Sequence, residues 1–260
     1  MSKALRRQPD MSVRETPAVA TVEEIRKRIG YENDAGWAWA NYKPSVVSLV
    51  RAYRPERVLE IGGGRFPLFS QQEIADLNVA YTVNDIEQKE LDRAPAYVEK
   101  SCFDIAGPAA HNEKFDLIFS KMVFEHVRDA RMAYSNLSRL LNPNGVVLNF
   151  HPILYSPPFV VNRFMPETLS RSVLRFVFNE RNDDTHPKFP AWYSWCRATD
   201  DVPSRIKALG FRDVAVLPFY GHAYYRKVPI LREISAQVTR WCKSTNFKPL
   251  ANYAFTIAIK

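Results

Sequence analysis

The chain has 260 residues, 46% hydrophobic and 25% charged. That balance fits one large globular domain and excludes a fully disordered chain. Its formal net charge is +8. Three well-separated cysteines (Cys102, Cys196 and Cys242) with no CxxC pair exclude a disulfide framework and a structural zinc site, and no metal is expected. No apolar run reaches the roughly 18 residues that a membrane span needs. The first residues, MSKALRRQPD, lack the apolar stretch of a secretory signal.

The charge is unevenly spread. Residues 1–151 carry 20 basic and 20 acidic side chains, and residues 152–260 carry 16 and 8. The whole excess sits in the second segment. It points to an anionic partner or to a solvated basic face.

In chain order, residues 1–20 read as a disordered tail and 21–56 as a helical cap. Thr21 and Glu24 form a capping box ahead of a short helix, and Gly30 suits its left-handed end. An irregular aromatic stretch follows, then a second short helix around Ser45–Tyr53. RVLEIGGG predicts a strand and a tight turn, residues 68–77 a helix, and VAYTVND a strand ending at Asp85. A third strand ends near Asp104, and a fourth spans Phe115–Ser120. Ala130, Ala133, Leu137, Leu140 and Leu141 mark an amphipathic helix. The turn Asn142–Gly145 leads to the fifth strand, VVLNF.

This alternation predicts an α/β fold with a doubly wound, mostly parallel sheet, its core at 57–151. Residues 152–201 break the rhythm with prolines and aromatics and read as an inserted lid or substrate segment. Its expected helix, 166–178, has an apolar stripe of Leu169, Val173, Leu174, Phe176 and Val177 with Arg171 and Arg175 on another side. That helix either packs on its own domain or lies on a membrane surface. Residues 202–260 complete the sheet, ending on the strand YAFTIAI.

Glu60-Ile61-Gly62-Gly63-Gly64 is the most informative stretch. Ligands of open parallel sheets bind beyond the carboxyl ends of the strands, where glycine lets backbone approach closely. Asp85, 25 positions after Glu60, sits where a carboxylate grips ribose hydroxyls. A nicotinamide site would want G-x-G-x-x-G, and here the third position is Pro67.

Over roughly Arg57–Phe150 the chain resembles the class I S-adenosylmethionine-dependent methyltransferases, of the methyltransferase-11 type. Glu60-x-Gly62-x-Gly64 is similar to the family's first motif. FDLIFSKMVFEHV and LSRLLNPNGVVLNF are similar to its fourth strand and the elements after it. Phe66 replaces the third glycine of the pattern, and Asn144-Gly145 the turn glycine pair. The resemblance implies S-adenosylmethionine as cofactor, held by Glu60, Gly62, Gly63, Gly64, Asp85, Ile86, Phe103, Asp104 and Ser120. In it the glycines pass under the methionine part, Asp85 takes the ribose and Asp104 the adenine amine.

Three histidines follow strand ends on the ligand side, His126, His151 and His222, and each is a candidate general base. Each is also read as a structural residue, and His111 and His186 are read as surface residues. Trp192, Tyr193 and Arg197 suit a sugar, a ring or a phosphate, or else anchor the insert. No Asn/Asp-Pro-Pro-Tyr/Phe element and no Pro-Cys pair occurs, so base and glutamine amino methylation and a cytosine-attacking cysteine are not expected. Cys102 and Cys196 read as packing residues.

The expectation is O-methylation of a small-molecule or saccharide-type acceptor, anionic or phosphorylated. The alternatives are a nucleic-acid methyltransferase and a non-catalytic scaffold that binds an anionic partner. Nucleic acid is the less expected partner. The expected location is cytoplasmic, with the inner membrane face as a candidate surface.

Overall fold

The Arg57–Ile61 run becomes the centre of a seven-stranded sheet. In the computed structural model, residues 21–108, 113–156, 190–222, 225 and 229–260 are described. β1 (Arg57–Ile61) pairs in parallel with β2 (Ala80–Asp85) and β4 (Phe115–Lys121). β3 (Glu99–Cys102) adds to β2, and β5 (Leu141–Pro152) adds to β4, both in parallel. With β6 (Asp213–Phe219) and β7 (Tyr253–Ile259) the order is β3-β2-β1-β4-β5-β7-β6, and β7 runs antiparallel to both neighbours. The mostly parallel, doubly wound sheet is as expected. Strand order reverses between β1 and β4, the place beyond whose carboxyl ends ligands of such sheets bind.

The helices follow local signals. In α1 (Val22–Arg28) the Thr21 N–H donates to Glu24 and the Glu24 N–H to Thr21, the expected capping box. Gly30 then turns left-handed at φ +64°. Ser70 and Glu73 cap α3 (Gln71–Leu77) in the same way, so this helix starts three residues after the expected position. The remaining short helix of the first half is α4 (Gln88–Asp92).

α2 (Ala35–Tyr53) is longer than the sequence predicts, since the aromatic stretch before Ser45 is helical. Asp34 starts it by accepting from the N–H groups of Gly36 and Trp37. Ala38, Tyr42, Val46 and Leu49 are buried at helical spacing. Pro44 removes one helical donor. Both Pro44 and Ala40 are exposed, so the carbonyl left without that donor faces water.

The sheet's two faces differ in chemistry. On the α2 face, Tyr42 packs on Phe119, Phe150 and Phe255. On the other face lies α5 (Ala130–Leu140). Under it runs a buried polar seam across β4, β5 and β7. The Ser120 hydroxyl donates to Asn149, whose amide donates to Tyr134. Tyr134 is hydrogen-bonded to Thr256, and His151 Nε2 lies 2.8 Å from Thr256 Oγ1. Each buried polar group in this seam has a partner, as a low-dielectric interior demands.

Among the described residues two further α-helices follow, α6 (Asp201–Lys207) and α7 (Pro229–Thr245). All three cysteines are free. Cys196 is buried, and Cys102, expected to pack, is exposed at the end of the edge strand β3. The tail 1–20, the helix expected at 166–178, His111 and His186 lie outside the described residues.

Candidate active site

β1 runs into a turn that only glycine can make in this packing. Gly62 has φ +72° and Gly64 φ +47°. A Cβ on Gly62 would stand 2.4 Å from Val123 Cγ2, and one on Gly64 2.8 Å from Asp85 Oδ2. The turn is therefore wedged between the exits of β2 and β4. Gly63 N–H donates to the Asn84 carbonyl at 3.0 Å and fixes it to β2. Phe66, at the place of the missing third glycine, is 69% exposed and donates its N–H to Gly63. The turn thus closes without that glycine. Arg65 holds Glu90 of α4 with two hydrogen bonds, 2.6 and 2.8 Å.

Glu60 lies beneath this turn. It is 5% exposed and accepts from the Leu68 N–H at 2.9 Å and from the Tyr81 hydroxyl. Burial pushes its carboxyl up to about 7, against the pull of these donors and of Lys121. Its position is that of a brace for the turn.

Asp85 ends β2, next to Gly64. Its Oδ1 accepts from the Glu87 N–H at 3.0 Å. Burial raises its carboxyl above the ordinary range, with Glu90 and Glu87 adding to the rise. Such a carboxylate lies where further donors would stabilise it. Ile86 follows with its side chain 57% exposed, and Phe103 is half-buried after β3. Asp104 is exposed and accepts from the Ala106 N–H. Asn84, not singled out from the sequence, ties the exits together by donating to the carbonyls of Ser101 and Phe103.

Beyond β4, a 3-10 turn Phe124–His126 forms the other wall. The Trp192 and Tyr193 N–H groups both donate to the Glu125 carbonyl, at 2.7 and 2.9 Å. The structure thereby brings His126, Trp192 and Tyr193 together. His126 Nδ1 lies 3.0 Å from the Pro190 carbonyl. A carbonyl only accepts, so Nδ1 carries the proton and Nε2 holds the lone pair of the neutral ring. Glu125 Oε1 is 3.8 Å from that Nε2. Arg128 stacks over the half-exposed Trp192 ring at 5.1 Å. Tyr193 itself is buried, so it anchors this segment.

Lys121, the last residue of β4, also lies at the strand exits and is not singled out from the sequence. Its ammonium sits over the Trp39 and Tyr42 rings, 4.9 and 5.4 Å from their centres. Burial lowers its pKa. Its one sequence signal is its place at a strand end; its partners come from α2, far away in the chain.

Four expected site residues lie elsewhere or are already engaged. Ser120 belongs to the buried seam under α5. His151 is 1% exposed, and both its ring nitrogens are engaged, with Pro152 and Thr256. Burial pushes its pKa down to about 4, as it also does for His222. His222 follows β6, three places along the sheet from β4, and bonds Ser235 at 2.9 Å. The Arg197 guanidinium lies 3.7 Å from Asp201. Such a half-exposed pair contributes at most about 1 kcal/mol. Arg197→Ala should therefore shift the melting temperature by only a few degrees and leave acceptor KM unchanged, as a paired thermal melt and kinetic assay would show.

Glu125 gives a pH prediction. It is 4% exposed, Oε2 has no hydrogen-bond partner, and burial pushes its pKa from 4.5 to about 8. The fold thus holds this proton more tightly than the unfolded chain does. The stability linked to it is complete below pH 4.5 and is lost as pH rises towards about 8. Glu125→Gln should gain at least about 3 °C in Tm at pH 8 and little at pH 5. Parallel melting curves for the two proteins would disprove this.

Comparison with known proteins agrees with this geometry. A family model described as "Methyltransferase domain" matches residues 40–156. No curated protein sequence matches the chain. Among solved structures, the DszA carbon methyltransferase aligns with TM-score 0.54 at 15% identity, over 90% of this chain and 57% of that one. The trans-methyltransferase CalH in complex with SAH aligns with TM-score 0.51 at 18% identity, over 86% and 57%. The CurJ carbon methyltransferase gives 0.50 at 13% identity, over 92% and 57%. At these identities the likeness is one of fold, and the chain spans less than two thirds of the length of each.

Residues 40–156 match a methyltransferase domain, and the fold is that of the class I S-adenosylmethionine-dependent methyltransferases. S-adenosylmethionine is the cofactor of that class, and the strand exits fit it. Asp85 offers an acceptor that further donors would stabilise, and Ile86 an apolar side chain that a base would cover.

Proposed function

We propose that this chain transfers the methyl group of S-adenosylmethionine to a hydroxyl of an anionic small-molecule or saccharide-type acceptor. The observation that carries the reading is His126, whose Nδ1–H donates to Pro190 and so directs basicity to Nε2. In this proposal Asp85 accepts from the ribose hydroxyls, Ile86 and Phe103 flank the adenine, and Asp104 accepts from its amine. The backbone of Gly62–Gly64 passes under the methionine part.

When bound, the cofactor supplies an electrophilic methyl group on a sulfonium. His126 Nε2 would take the proton of the acceptor hydroxyl as that oxygen received the methyl group. Holding the oxygen in line supplies much of the acceleration. Trp192 and Arg128 form a wall of aromatic surface and positive charge, suited to a sugar or ring bearing phosphate or carboxylate.

The test is an acceptor panel of neutral, carboxylated and phosphorylated sugars and phenols, with S-adenosylhomocysteine release as readout and NMR of the product. An O-methyl product from a charged member is expected. A product methylated on nitrogen or carbon overturns the hydroxyl assignment. Arg128→Ala should raise KM for the charged acceptor about tenfold, the worth of one charge-assisted contact. Unchanged KM would remove Arg128 from acceptor binding.

A further inference from the structure

α7 is turned inside out. Toward the rest of the chain it sets Ser235, Ala236, Thr239, Cys242 and Lys243, all buried or half-buried. This inward face is fastened by polar contacts: Lys243 Nζ to Asp34 at 2.7 Å, and Ser235 to His222. Outward it presents Ile230, Ile234, Val238 and Trp241, which are 75%, 56%, 40% and 52% exposed. Their spacing of four, four and three residues places them on one stripe. Phe247, also exposed, continues it, with its ring 5.3 Å from that of Trp241. A surface helix ordinarily buries its apolar stripe and wets its polar face. Here the arrangement is reversed.

Charge identifies the occupant. Residues 225–250 contain six lysines and arginines and a single acidic residue, Glu233. A second copy of the helix laid against this stripe would bring two strongly basic segments together. An anionic lipid surface would instead neutralise them while its acyl boundary covers the apolar stripe.

We propose that α7 and the turn to Phe247 lie in the interfacial plane of a bilayer that contains anionic lipid. Ile230, Ile234, Val238, Trp241 and Phe247 enter the headgroup–acyl boundary. Arg232 and Arg240, both exposed on this helix, reach the headgroup phosphates. This surface is separate from the strand exits, so the inference is independent of the acceptor chemistry.

The experiment is co-flotation of the full chain with vesicles of phosphatidylcholine alone or with about a third phosphatidylglycerol. Binding should be at least about tenfold stronger to the anionic vesicles and should weaken in high salt. The double substitution Ile234→Glu with Trp241→Glu should reduce binding by more than about tenfold, with circular dichroism and cofactor affinity unchanged. Arg232→Gln with Arg240→Gln leaves the stripe intact and should cost severalfold on anionic vesicles only. Absence of binding, or equal binding by wild type and stripe variant, overturns the proposal. So does a lipid-free dimer in sedimentation velocity that the stripe variant dissolves, since the stripe would then be an interface between copies.

Discussion

Gly62→Ala should weaken S-adenosylmethionine binding by more than about 100-fold, and this is the largest effect expected of a single methyl group here. Two costs act at once. The residue sits at φ +72°, a left-handed conformation that costs an L-residue about 1–2 kcal/mol. Its Cβ would also stand 2.4 Å from Val123 Cγ2, far inside the contact distance of about 3.5–4.0 Å. Valine is stiff about χ1 and cannot simply swing aside. The turn must lift away from the β4 exit, and the backbone proposed to lie under the cofactor moves with it. Adding Val123→Ala should relieve the contact and recover part of the stability, while the φ cost remains. Calorimetric titration and thermal melts on the three proteins separate these terms. Wild-type affinity in a folded Gly62→Ala protein would show that the turn only connects β1 to α3.

His126→Asn should lower kcat by about 10²–10⁴-fold, the usual worth of a positioned general base. Asparagine is the informative replacement. Its amide can donate to the Pro190 carbonyl in place of Nδ1, so the docking of the 190–196 segment is kept. It offers nothing basic in place of Nε2. Cofactor affinity should be unchanged, because His126 sits on the β4 side and the residues proposed for ribose and adenine on the β2 and β3 side. A structural role would show the reverse pattern, with a lowered Tm and normal turnover in the folded fraction. Normal kcat would exclude His126 from proton transfer.

Much of the fold can be read locally. The capping box at Thr21 announces a helix because both partners lie within four residues, and the one found at Ser70 is equally local. The strand, glycine turn and acidic strand end that mark the cofactor side are also local patterns. The start of α2 is hidden because Pro44 and three aromatics argue against a helix in isolation. In the fold Trp37 stacks on Phe219 and Tyr42 on Phe150, and this packing outweighs propensity.

Side-chain sidedness is not legible either. Ser120 and Lys121 are adjacent at the end of β4, so they point to opposite faces. The sequence does not say which face carries α5 and its polar seam. Reading along the chain therefore names Ser120 and His151 as site residues although the fold engages both in the buried seam, and passes over Lys121. The pairing of His126 with Pro190 spans 64 residues and leaves no local trace.

β7 is the strand that joins β6 to the sheet. β6 precedes β7 in the chain but, among the described residues, pairs in the sheet only with it, and β7 pairs with β5 on its other side. During synthesis the first five strands can assemble while β6 has nothing to pair with. Until Tyr253–Ile259 has emerged, β5 stays an open edge of the kind that invites pairing with another chain. A ribosome that stalls before this segment would release a nascent chain missing two strands, not one. Chaperone demand should therefore persist until Tyr253–Ile259 has emerged.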